Sequence, residues 1–143
     1  MPGAAAPGGA EYVRLKLQEA WEFLRAAEEQ FKSARSEVEI RDAAEKAWSA
    51  VVQATDALVY ALSGRKPLSN FERRRALREL EEKVEAVRRL GLRDRYMARY
   101  KALHEAFYEG VVDREEIRLE LEKARRYVED VERSLGRELS THD

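Results

Sequence analysis

The histidine of this chain that lies away from its end is His104, in the stretch RYKALHEAFYEG, with Arg99 five residues before it. Histidine changes charge near neutral pH, so Arg99 and His104 are the candidate catalytic pair. The alternative is the polar edge of a packed helix. At about 100° per residue, Tyr96, Tyr100, Leu103 and Phe107 share one narrow sector, with Arg99 and His104 on its opposite shoulders, about 140° apart. From one straight helix they cannot readily act on one substrate. They converge where the edges of the stripe line a cleft formed with another helix or with a second copy of the chain. On the structural reading, His104 is satisfied at the margin of a core and Arg99 reaches solvent or an acid.

Charge supplies the second candidate chemistry. The formal charge is −1, yet residues 65–104 hold thirteen Lys and Arg against six acids, a local +7 that leaves −8 on the remainder. Such asymmetry suits a polyanion, because arginines neutralise phosphates and release counterions. The triplet Arg73, Arg74 and Arg75 and the cluster Arg88, Arg89, Arg93 and Arg95 have few acids beside them, and with Tyr108 they form the candidate substrate-binding set. The competing reading is a solvated surface laced with ion pairs one turn apart.

Other chemistries are excluded or weakened. Without cysteine there is no disulfide, thiolate metal site or Cys nucleophile. There is no glycine-rich phosphate loop and no His-x-x-x-His or Glu-x-x-His pair, and His142 falls in the expected tail. No metal or cofactor is expected. The doublets Glu28–Glu29 and Glu115–Glu116 read as solvated faces and helix-start charges. Trp21, Trp48, Tyr60, Tyr96, Tyr100, Phe107 and Tyr108 stand at helical spacing, which favours core packing over base stacking, least so for Tyr108, one turn after His104.

The elements that must position these residues are helices. Val13, Leu17, Ala20, Leu24, Ala27 and Phe31 form one stripe, widened by Trp21 and Phe23. Ser36 with Glu39 is spaced as a capping box for a second helix, in which Ile40, Ala44, Ala47, Val51, Ala54, Leu58 and Ala61 repeat the rhythm. Trp48, Val52, Val59 and Leu62 add a second apolar strip, so this helix is predicted to be central. Gly64 ends it, and Ser69 with Glu72 caps the next, which carries Leu77, Leu80, Val84 and Val87 as far as Gly91. A fourth helix is predicted to stop at Gly110. A fifth starts at Asp113 with Glu116, with Val112 and Ile117 placed for a hydrophobic staple, and closes at Gly136. No stretch alternates with period two.

The prediction is an all-α, antiparallel five-helix up-and-down bundle: one domain over residues 11–136, with flexible tails at 1–10 and 137–143. No apolar run approaches the ~20 residues that a bilayer requires. The start MPGAAAPGGA lacks the features of a signal peptide, which points to the cytoplasm. One Asn and three Gln beside so many ionic residues point to a thermophile.

The segment AAEKAWSAVVQATDALVYALSG (residues 43–64), followed after a basic helix by ALHEAFYEG (residues 102–110) and a last amphipathic helix, resembles the archaeal PaREP family, within the wider HEPN-like helical superfamily. The likeness spans roughly residues 13–135. It implies a helical bundle that pairs as a homodimer. Many HEPN domains are metal-independent endoribonucleases with an Arg, four to six residues and a His at the dimer cleft, a spacing matched by Arg99 and His104. The resemblance thus implies proton transfer by His104 at the RNA 2′-hydroxyl or leaving oxygen, and phosphate stabilisation by Arg99. Where the active class often carries a polar residue after the arginine, this chain has Tyr100. Two functions follow: an RNA- or nucleotide-binding domain with ribonuclease action, or a non-catalytic interaction module serving itself or a nucleotidyltransferase partner.

Overall fold

In the computed structural model, which describes residues 9–105 and 112–140, the helix starts read from the sequence are built as capped ends. Ser36 Oγ accepts the Glu39 N–H at 3.2 Å, and Glu39 Oε1 accepts the Arg35 N–H at 3.1 Å. These bonds open α2 (Glu37–Ser63), with only Ala34, Arg35 and Ser36 between it and α1 (Gly9–Ser33). Ser69 opens α3 (Asn70–Lys83) in the same way, accepting the Glu72 N–H at 3.1 Å. Asp113 Oδ1 accepts the N–H groups of Glu115 and Glu116 at 3.0 and 3.3 Å, and α6 (Arg114–Ser140) follows. Each cap satisfies donors that the first helical turn leaves without partners. Gly64, at φ 75°, ends α2 with its N–H on the Tyr60 carbonyl.

The predicted stripes are the core. Val13, Leu17, Ala20, Leu24, Ala27 and Phe31 are buried on α1, and Ile40, Ala44, Ala47, Val51, Ala54 and Leu58 on α2. α2 packs along α1 and also meets α3, α5 (Leu92–Tyr100) and α6, the central position that its broad apolar surface requires. At its centre Thr55 Oγ donates to the Val51 carbonyl at 2.7 Å, so the buried Tyr127 hydroxyl, also 2.7 Å away, donates to Thr55. α6 is tied to the far end of α1 by Arg114, whose guanidinium donates to the Phe31 and Ala34 carbonyls at 3.0 and 2.9 Å. Arg125 clasps Glu28 through two bonds of 2.9 and 3.0 Å.

Several expectations are corrected. Among the described residues there are six α-helices and no strand. The additional helix arises because the predicted third one breaks at Val84 (φ −121°, ψ 111°) into α3 and α4 (Glu85–Leu90). Val84 still donates to Leu80 and accepts from Arg88, so the backbone ladder passes through the break at that residue. An unbroken helix would stack Glu81 on Glu85 one turn apart; the break puts Glu85 in a first turn, where the dipole favours an acid. α6 runs through Gly136 to Ser140, because Val131 and Leu135 hold that end on the core. Phe23 is exposed and adds nothing to the α1 stripe. The fourth predicted helix is α5 followed by a π-helical turn, Lys101–Glu105; its predicted end at Gly110, with Phe107, lies outside the described residues.

Candidate functional site

Arg99 stands in the last turn of α5, just before that π-helical turn, and His104 stands within it. Arg99 is buried, and its Nη2 lies 2.8 Å from Oε1 of Glu120, a buried acid of α6. The contact is close but poorly aligned, since neither Arg99 Nε nor Glu120 Oε1 has a hydrogen-bond partner. Lys123 reaches the other oxygen of Glu120 at 3.4 Å, and Arg95 pairs with Asp130 at 2.9 Å. With Arg126 these three cations line a cavity of about 290 Å³. Glu120 and Asp130 offset much of its charge.

His104 turns to α2 instead. Its Nδ1 lies 2.8 and 3.1 Å from the two oxygens of Glu45, and its ring stacks on Trp48 at 6.2 Å between centroids and 25° between planes. Tyr100 packs against the same indole at 5.4 Å. A π turn closes its bonds at i+5, so residues five apart come nearer to alignment than on an α-helix. The widening falls only on residues 101–105. Arg99 keeps an acid of α6 and His104 an acid of α2. A carboxylate beside Nδ1 orients the ring and holds a proton on that nitrogen.

The arginine triplet divides by direction. Arg73 points inward, where Nε and Nη2 donate to the buried Asp56 at 2.8 and 3.4 Å. Burial works against that guanidinium, but the hydrogen bond and charge of Asp56 outweigh it and raise its pKa. Beside this pair the Tyr96 hydroxyl donates to Asn70, and burial pushes the phenol up to about 12. Arg75 is exposed and reaches Glu79 at 3.5 Å. Arg74 is half-buried over the Phe71 ring at 5.9 Å. Arg74, Arg75, Arg78 and Arg93 line a cavity of about 360 Å³ with Phe71 at its wall. Arg88 and Arg89 are exposed on α4, Arg88 donating to the Glu81 carbonyl at 3.2 Å. Tyr108 and His142 lie outside the described residues.

The archaeal PaREP1/PaREP8 family model matches residues 15–128, from α1 well into α6. The chain belongs to that family. Comparison with curated proteins and with solved structures returns no match. In this PaREP1/PaREP8 member no group of three or more His, Asp or Glu among the described residues could hold a metal ion. Nor is any described helix long and apolar enough to cross a membrane.

Two residues at these sites escape a reading of the sequence. Glu45 belongs to AEKAW, where its spacing to Trp48, three residues on, places both on one side of α2. Phe71 precedes the arginine triplet at the start of α3, outside any apolar stripe, and it is 61% exposed. A large aromatic off the core rhythm and beside three arginines is the signal that could have found it.

Proposed function

We propose that this PaREP1/PaREP8 chain is an HEPN-like, RNA- or nucleotide-binding domain whose contact surface is the basic face of α3, α4 and α5. One observation supports the reading. Arg74, Arg78, Arg88, Arg89 and Arg93 have no carboxylate within ion-pair distance among the described residues. The other arginines of this region are answered: Arg65 and Arg75 by Glu79, Arg73 by Asp56, Arg95 by Asp130 and Arg99 by Glu120. Arginines without ion-pair partners on three successive helices leave positive charge that a polyanion would answer.

The test is fluorescence anisotropy with a labelled single-stranded RNA over a range of salt, comparing wild type with the Arg88→Gln/Arg89→Gln variant. These two are exposed, so their loss leaves the core intact, whereas Arg73 is kept because neutralising it would strand Asp56 in the interior. The expected result is about tenfold weaker binding, with the slope of log K against log salt shallower by about 1.4, two phosphate contacts' worth. Equal affinity and slope overturn the reading. Absence of any RNA binding favours the non-catalytic interaction module, for itself or for a nucleotidyltransferase partner.

A second reading, metal-independent ribonuclease action, is favoured by the Glu45–His104 contact. There His104 Nε2 would take the 2′-hydroxyl proton as that oxygen attacks phosphorus, while the P–O5′ bond breaks and the 5′-oxygen leaves with a proton from water. Arg99 would steady the phosphate from a homodimer cleft. Labelled RNA in chelator, cut by wild type and left intact by His104→Ala and Arg99→Ala, is the expected outcome; unchanged cleavage in both variants rules it out.

A further inference from the structure

Of the two basic cavities, the one between α3 and α5 differs in kind from the Arg99 groove. None of its lining residues, Phe71, Arg74, Arg75, Arg78 and Arg93, is acidic. Arg75 has Glu79 nearby, which leaves three guanidiniums without a counter-charge among the described residues. The Nε groups of Arg74 and Arg93 are buried with no hydrogen-bond acceptor, an unfavourable state for a charged donor. Two half-buried arginines from different helices, lining one cavity that holds no acid, leave positive charge and guanidinium donors for a ligand that brings oxygens and negative charge.

We propose that this cavity receives a terminal phosphate monoester of an RNA strand, with Arg74, Arg78 and Arg93 around the phosphate and the end base against Phe71. The proposal rests on the RNA-binding reading above and narrows it from a strand's length to its end. Charge selects the monoester. A bridging phosphodiester carries one negative charge and two free oxygens, whereas a terminal phosphate carries about 1.5 to 2 charges at neutral pH on three strong acceptor oxygens. Three guanidiniums lining one cavity suit the terminal group, and arginine's planar fork is the geometry that grips phosphate through paired bonds. Phe71 argues for a nucleotide on that phosphate. An exposed ring at the lip of a basic cavity offers a stacking surface that a free phosphate does not use, and any base can stack on it.

The experiment compares one short oligoribonucleotide in three forms, with a 5′-phosphate, a 3′-phosphate and neither, by competition anisotropy against the full chain. Inorganic phosphate and a nucleoside monophosphate serve as further competitors. The expected result is at least about tenfold tighter binding of one phosphorylated form than of the unphosphorylated one. That preference should vanish in Arg78→Gln and Arg93→Gln and should survive in Arg88→Gln/Arg89→Gln, which weakens all forms alike. Phe71→Ala should weaken the phosphorylated strand about tenfold while leaving inorganic phosphate unaffected. Arg78 is exposed, so its variant keeps the test usable should Arg93→Gln fail to fold. Equal, salt-dependent affinity for all three forms overturns the terminal-phosphate site and leaves the RNA-binding face standing. Binding of a nucleoside monophosphate, lost in Arg78→Gln, without affinity for any strand supports the cavity's chemistry and overturns the RNA reading. If nothing competes or binds, both fall.

Discussion

Tyr96 and Tyr127 carry the chain's clearest pH dependence. Burial raises both phenols, Tyr96 to about 12 and Tyr127 further, so the folded protein holds two protons that an unfolded chain releases near pH 10. Their contribution to stability is complete below about pH 10 and is lost as pH rises through the folded-state values. Urea unfolding followed by circular dichroism should therefore give a lower midpoint at about pH 11 than at about pH 8, with Tyr127→Phe losing part of that difference. An identical pH dependence in the variant would remove Tyr127 from the account. Individual side chains were only partly legible in the sequence. Arg99 and His104 could be singled out by type, and their shoulder positions by helical angle, because both are local properties. That Glu120 meets one and Glu45 the other depends on which helices lie alongside, which spacing along one helix does not encode. For the same reason Arg73, Arg74 and Arg75 read as one cationic block, although a difference of 100° per residue sends the first inward to Asp56 and the third to solvent.

Capped starts were the most legible part of the elements, since a Ser or Asp followed three residues later by Glu is a local hydrogen-bonding device that needs no tertiary partner. Breaks and ends were less so. Val84 interrupts a helix without Gly or Pro, and Gly136 fails to interrupt one, because docking of Val131 and Leu135 outweighs a single residue's preference. Gly91, between α4 and α5, and Gly136, inside α6, should respond to alanine with opposite signs. Gly91 sits at φ 62° with no atom within 4 Å of an added Cβ, so its substitution costs only the left-handed backbone strain, about 1 kcal/mol. Gly136 is exposed and helical, with equal room around it; alanine there should stabilise by about 0.5 kcal/mol. Paired urea titrations of the two variants check both signs, and a stabilised Gly91→Ala would mean that this joint is not held as described.

At the scale of the molecule, the all-helical architecture and the central place of α2 were legible because apolar rhythm reports directly on what is buried. The arrangement of the other helices was not, because it is set by contacts such as Arg125 with Glu28, 97 residues apart, and Trp21 with Glu132, 111 apart. That contrast in separation orders events in time. α1 and α2 are joined by three residues and can zip together almost as soon as they form, whereas α6 must close a loop through most of the chain before any of its contacts counts. The rate-limiting barrier for folding should therefore be crossed with the α1–α2 pair in place and α6 still undocked. Leu24→Ala should slow refolding in stopped-flow, while Arg114→Ala should leave refolding nearly unchanged and hasten unfolding. The guanidinium that bridges α6 to the Phe31 and Ala34 carbonyls then acts as a latch: it sets how long the molecule stays folded and has little part in how fast it gets there.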